Sequence, residues 1–262
     1  MDTRGIAVFA ADYGIGNTWA GVSCRDGRLG RAYTTPEQYA HGIALALRDG
    51  YRVVEASEAP RAITVGPRSV PRPHDHSYGC VWYYHHNHPQ SGGRGGAAVY
   101  IMAETQTPYI MTSIQVNVPD RQLKVTVDPV KWHNDDTYDL LLLEAFVTGA
   151  AKLPPRLGGR VQSAHIWDAW TAAITIWGLL QDPDTPLATN TQDKRSTRDK
   201  RLGREKLLAL TDRITWYNSA AASAIYAGMI IDPAELHLPI TAICPDPEVV
   251  AAHPATGTSV AA

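Results

Sequence analysis

In the segment HIWDAWTAAI, His165 and Asp168 stand three residues apart. The apolar pattern predicts a helix over 162–180, which sets the two side chains one turn apart on one face, where they can meet one ion or one water. Ala169, Ala172 and Ile176 share that face, and the bulky Trp167, Trp170, Ile174 and Trp177 fall on the other. Alanines permit close approach to a sheet. Near a helix N-terminus the same two residues would also serve simply to satisfy free backbone N–H groups and the helix dipole. Chemistry therefore requires further acids on the same face.

Asp12 is the first of these, at the end of the apolar run IAVFA and within Asp12-Tyr13-Gly14. A second run, Trp19-Ala20-Gly21-Val22, follows, and Asp26-Gly27 is a strong hairpin signal because glycine accepts the positive φ of a tight turn. Leu143-Glu144-Ala145-Phe146 then ends a long apolar strand ahead of His165-Ile166-Trp167-Asp168-Ala169. In order and residue type this set resembles the RNase H-like superfamily, and RuvC-type Holliday-junction resolvases in particular. There a first-strand Asp in a D-x-G turn precedes a hairpin, a later strand carries a Glu, and the last helix carries D/H-x-x-D-A.

The resemblance implies an α/β fold, an RNase H-like mixed sheet flanked by helices, and divalent-metal-dependent hydrolysis of phosphodiester bonds, with branched DNA among the candidate substrates. Asp12, Glu144 and Asp168 would ligate Mg²⁺ or Mn²⁺, and His165 would ligate metal or orient the attacking water. Hard divalent cations prefer oxygen ligands, and carboxylates drawn from strands and one helix can hold two ions about 4 Å apart. The long separation of Asp12 from Glu144 implies either a large insertion between residues 60 and 130 or a second acid at Glu55 or Glu58 in VVEASEAP. Glu55 is kept as a metal-ligand candidate.

Three other readings compete. Asp12-Tyr13-Gly14 also resembles the first phosphate loop of actin-like kinases, but the second such loop is missing, and Ser91–Gly96 is glycine-rich ahead of an expected strand rather than a helix. His74, His76, His85, His86 and His88 could bind zinc, and His86-Asn87-His88-Pro89 resembles the H-x-H-P of JAMM-type isopeptidases without their following Asp. A non-enzymatic assembly or interaction protein would suit the proline-broken insertion and a terminal amphipathic helix.

The elements that must position these residues follow from periodicity. Residues 6–33 read as two or three strands, Thr35-Pro36-Glu37 as a helix start, and YRVVEA (51–56) as a strand, a mixed α/β opening. Residues 60–96 lose periodicity. Strand-like stretches at 97–103, 109–118 and 122–127 suggest an antiparallel subsheet, making 60–130 a His-rich and β-rich insertion in a core spanning 1–180. TYDLLLLEAFV (137–147) reads as a strand covered on both faces. Residues 181–244 comprise a basic arm and an amphipathic helix from about 203 to 230, which would pack on the main domain or form a homodimer. Residues 245–262 are expected to be a disordered tail.

The chain's formal charge of −2 conceals an asymmetry. Between 194 and 206 seven basic side chains face Asp199 and Glu205, a net +5 that leaves −7 elsewhere. Lys194, Arg195, Arg198, Lys200, Arg201 and Arg204 thus offer a phosphate-binding arm, or a solvated linker, and DNA is the favoured partner. The three cysteines are widely spaced with no CxxC pair, which argues against a disulfide framework or thiolate zinc and fits a reducing cytoplasm. No apolar run approaches the roughly eighteen residues of a membrane span.

Overall fold

The computed structural model describes residues 4–13, 19–25, 27–59, 61–65, 93–145, 164–181, 215–238 and 240–243. The apolar run after Gly5 forms β1 (Ile6–Asp12), and β2 (Ala20–Arg25) and β3 (Arg28–Tyr33) complete an antiparallel meander. Gly27 turns the second hairpin at φ 74, and a Cβ there would lie 2.8 Å from Trp177 Nε1, so both the turn and the packing above it require glycine. Thr35 caps α1 (Pro36–Arg48), its hydroxyl accepting from the Gln38 N–H. The chain then returns as β4 (Arg52–Ser57), parallel to β1.

The remaining elements are β5 (Ala62–Val65), α2 (Gly93–Val116), β6 (Val125–Thr126), α3 (Pro129–Asn134), β7 (Leu140–Ala145), α4 (Ala164–Gln181), β8 (Thr215–Asn218), α5 (Ser219–Tyr226), a 3₁₀ turn (Pro233–His237) and β9 (Ala242–Ile243). The main sheet runs β3-β2-β1-β4-β7-β6, and β9 also joins β7. Because β4 holds one edge of β7, β6 and β9 divide the other: Val125 lies opposite Leu140 and Ala242 opposite Glu144.

Side chains alternate across a strand, so each inner strand of this sheet feeds two cores. Val8, Ala10, Val54, Ala56, Leu141 and Leu143 face α4, where they meet Trp167, Ala169, Ala173 and Ile176. Ala7, Phe9, Val53, Leu140 and Leu142 face the opposite way, toward Tyr39, Ile43 and Leu47 of α1 and Ile110, Met111 and Ile114 of α2. The expected α/β class, the opening order, the covered strand β7 and the helix carrying His165 and Asp168 are all present. Among the described residues no helix is long and apolar enough to cross a membrane.

Two expectations are corrected. Residues 97–116 are not strands but part of one helix, α2, and only Val125 and Thr126 of the expected subsheet pair. Ala103, Thr107, Ile110, Met111 and Ile114 are buried at helical spacing, and packing on α1 and α5 overrides the β propensity of the local Val, Ile and Thr. Gly93, Gly95 and Gly96 of the glycine-rich run accordingly belong to a helix and do not precede a strand. Of the helix expected over about 203–230, residues 203–214 lie outside the described residues, and residues 215–226 are instead β8 followed by the short α5, because residues 215–218 pair antiparallel with β5 and the Asn218 side chain caps the helix by accepting from the Ala221 N–H at 3.1 Å. This segment does not stand apart from the core: α5 packs on α2, and β9 extends the main sheet.

Beneath the α1 face lies an ion pair with no solvent contact. Glu55 and Arg61 both have fully buried side chains. The Arg61 guanidinium donates to both Glu55 oxygens and to Tyr13 Oη at 2.7 Å, and Tyr39 Oη donates to Glu55 at 3.3 Å. Burial alone would lower the arginine pKa, but the Glu55 carboxylate and Tyr13 outweigh it and hold the guanidinium firmly charged. Burial also pushes both phenols up, Tyr39 further than Tyr13. The backbone of Arg61 ties in other elements: its N–H donates to Glu144 at 2.6 Å and its carbonyl accepts from Ser219 N at 2.7 Å.

Removing one member of such a pair leaves a buried charge uncompensated, so Glu55→Ala or Arg61→Ala is expected to cost about 3–5 kcal/mol in urea unfolding. The joint replacement Glu55→Leu with Arg61→Met should cost less than either single change. A loss below about 1 kcal/mol for both single variants would show that the pair is not structural. At the end of α3, hydrogen bonds from Thr137 and then from Lys124 hold the Asp135 carboxyl well below its usual range. A depressed carboxylate stabilises the fold above its unfolded value of about pH 4, and the effect is lost as pH falls through the lower folded value. Wild type and Asp135→Asn should therefore differ in Tm at neutral pH and converge in strong acid.

Candidate metal centre

The alternation that builds the two cores also selects which acids meet. Asp12 continues the series Val8, Ala10 on β1, and Glu58 continues Val54, Ala56 on β4, so both belong to the α4 face by strand parity. The parallel register pairs Ala10 with Ala56 and Ala11 with Ser57, and one further step brings Asp12 level with Glu58. A hydrogen bond from Glu58 N to Ala11 O at 2.7 Å fixes that step beyond the end of β4. From above, α4 brings Asp168 down onto the strand ends.

Asp12, Glu58 and Asp168 each offer an oxygen, and these atoms all lie within 4.8 Å of one another. Asp12 and Asp168 are buried at 8% and 5% exposure, and Glu58 is half-buried. His165, one turn before Asp168, directs Nδ1 to Asp12 Oδ2, while its side chain keeps 35% of its surface in solvent. The site is therefore walled by sheet and helix and open at the histidine. Three carboxylates this close repel one another in a poorly solvated pocket, and a divalent cation relieves the repulsion. An all-oxygen donor set of this size fits a hard ion such as Mg²⁺ or Mn²⁺ and offers no thiolate to zinc.

The sequence-predicted residues divide by face. Asp12, His165 and Asp168 converge. Glu144 does not join them: it follows Leu140 and Leu142 on the α1 side of β7, fully buried, where it accepts from Arg61 N. Glu55, one residue out of phase with Ala56, points to the same side and is held by Arg61 and Tyr39. The second acid of the cluster is Glu58, the other choice in VVEASEAP. The alternation of that run, with Val54 and Ala56 apolar and Glu58 next in phase, carried the signal. Lys194, Arg195, Arg198, Lys200, Arg201 and Arg204, and the histidines at 74, 76, 85, 86 and 88, lie outside the described residues.

Comparison with protein-family models, with curated proteins and with solved structures finds no match. Function is thus read from the site's own chemistry.

Ligand binding to the folded state alone raises stability by about 2.7 kcal/mol at a hundredfold excess over Kd. Mn²⁺ is therefore expected to raise the Tm of the wild-type chain, and Asp168→Asn or Glu58→Gln to abolish that rise. Glu144→Gln and Glu55→Gln should lower the metal-free Tm yet keep the Mn²⁺-induced increment. An unchanged increment in Glu58→Gln would remove that residue from the site.

Proposed function

We propose that this protein is a divalent-metal-dependent nuclease of RNase H-like fold that hydrolyses phosphodiester bonds, with DNA, branched DNA included, as the favoured substrate. The observation that carries the reading is the convergence of Asp12, Glu58 and Asp168 within 4.8 Å, with His165 on Asp12. The sheet supports it: a meander β1-β2-β3, then α1, then strands β4 and β7 parallel to β1, with the last acid on a helix packed across β1 and β2. Placing the second acid at Glu58 on the strand next to β1 also removes the long Asp12 to Glu144 separation that the Glu144 assignment required.

Divalent ions held by these carboxylates would supply Lewis-acid polarisation of a phosphodiester oxygen and a reactive water. Asp12, Glu58 and Asp168 fix the position of that chemistry against the rigid sheet ends, where a small misplacement would be costly. Asp12 also orients the imidazole through Nδ1, which leaves Nε2 as the ring nitrogen available on the open side. From there His165 can orient a water or exchange a proton with a departing oxygen. Trp167 and Trp170, packed edge to face at 4.8 Å, anchor the turn of α4 that presents both His165 and Asp168.

The test is cleavage of four-way junction, duplex DNA and RNA–DNA hybrid substrates by the full chain in Mg²⁺ or Mn²⁺. Asp12→Asn and Asp168→Asn are expected to lower the rate at least about 100-fold with folding intact, and His165→Ala by about 10²–10⁴ if it transfers a proton. Wild-type activity in Asp168→Asn would overturn the assignment.

A further inference from the structure

A second charged feature lies along the β3 edge of the sheet. Between β2, β3 and the outer face of α1 is a groove of about 760 Å³, lined among others by Arg25, Arg28, Arg31, Tyr33, Gln38 and His41, and among the described residues no acidic side chain lines it. In a regular strand Arg28 and Arg31, three residues apart, would project from opposite faces. The β2–β3 register prevents this. Val22 pairs with Ala32 but Cys24 with Leu29, so Gly30 and Arg31 together oppose the single Ser23.

Such a bulge shifts the phase of the strand by one residue. It brings Arg31 onto the side of Arg28 and of Arg25, which is the cross-strand partner of Arg28. Gly30 makes the bulge possible, since a Cβ there would lie 2.6 Å from Ser23 Oγ. The charges are also available. Arg28 and Arg31 are exposed, and neither forms an ion pair with a described acid. Arg31 rests over the Tyr33 ring at 5.9 Å, and Arg25 is shared with Asp49 at 3.6 Å. Tyr33 itself reaches across to α1 where Gly42 makes room, a Cβ at that position lying 2.4 Å from its hydroxyl.

We propose that this arginine groove binds the phosphate backbone of a nucleic acid and leads it toward the carboxylate site, an inference that rests on the nuclease reading of that site. The cations are strung along a strand rather than gathered at a point, and the planar guanidinium fork suits phosphate oxygens. Tyr33 lines the groove, and its partner Gly21 is one residue from Ala20, the residue opposite Asp12. Because β3 is the outer of the described strands, a chain of phosphates that rounds this edge passes from the α1 side, where the arginines lie, to the α4 side, where the acids lie. A small anion could not connect the two.

The experiment measures binding of the full chain to a labelled DNA duplex by fluorescence anisotropy in EDTA, which blocks cleavage, over a series of salt concentrations. The double variant Arg28→Gln with Arg31→Gln should weaken binding about tenfold and reduce the slope of log Kd against log salt by about 2, while the exposed Arg48→Gln, outside the groove, changes neither. Unchanged affinity and slope in the double variant would overturn the proposal, as would an equal loss in Arg48→Gln or a wild-type chain that does not bind DNA. Displacement of the DNA by poly-glutamate at equal charge concentration would assign the groove to an acidic protein partner instead. Asp168→Asn should bind normally in EDTA and, unlike the wild-type chain, fail to cleave when Mg²⁺ is supplied, so loss of the nuclease reading and loss of the groove are separate outcomes.

Discussion

Four elements on the α1 side of the sheet, β4, α1, β7 and α5, meet at one buried arginine, Arg61. The Arg61 side chain has no exposed surface, so its charge is met from within: the guanidinium donates to both Glu55 oxygens and to Tyr13, and Tyr39 donates to Glu55. The contacts reach far along the chain: the side-chain network holds β4 through Glu55 and α1 through Tyr39, and the Arg61 backbone holds β7 through Glu144 and α5 through Ser219. A buried ion pair is seldom a large net source of stability, but it forbids arrangements that would separate its partners. Here Arg61 commits two of the inner acids to structure, Glu55 through its side chain and Glu144 through its backbone N–H. The acids that cluster are those on the other face.

That division was partly legible in the sequence. The alternation of apolar residues in IAVFAAD and RVVEASE assigns Asp12 and Glu58 to one side of two neighbouring strands, and a three-residue spacing does the same for His165 and Asp168 on a helix. What alternation cannot supply is the pairing between strands far apart in the chain. Glu144 follows a four-leucine run in which every position is apolar, so no periodicity distinguishes its two faces, and only the parallel register with β4 reveals that it points away.

The helix α2 was hidden for a different reason. Its residues include Val99, Tyr100, Ile101, Thr105, Thr107 and Thr112, strand formers by composition, and Pro108 lies within it. Burial of Ala103, Ile110, Met111 and Ile114 against α1 and α5 decides the conformation, and that burial depends on partners more than fifty residues away on either side. Likewise residues 215–218 read as a continuation of an amphipathic helix until β5 provides a strand to pair with. In both cases local pattern was correct about which residues are apolar and silent about what they pack on.

The shared edge of β7 bears on how the molecule is made. Its first half is closed by β6, fifteen residues upstream, but its second half, next to Glu144, waits for Ala242 and Ile243, nearly a hundred residues downstream. During synthesis β7 therefore emerges with part of its backbone unsatisfied and its sequence at its most apolar, the condition under which a strand recruits foreign partners. Closing that gap late, by a parallel pairing of high contact order, is slow compared with forming the β1-β2-β3 meander. The short β9 thus serves less as reinforcement than as a final seal, and a chain truncated before it would be expected to aggregate.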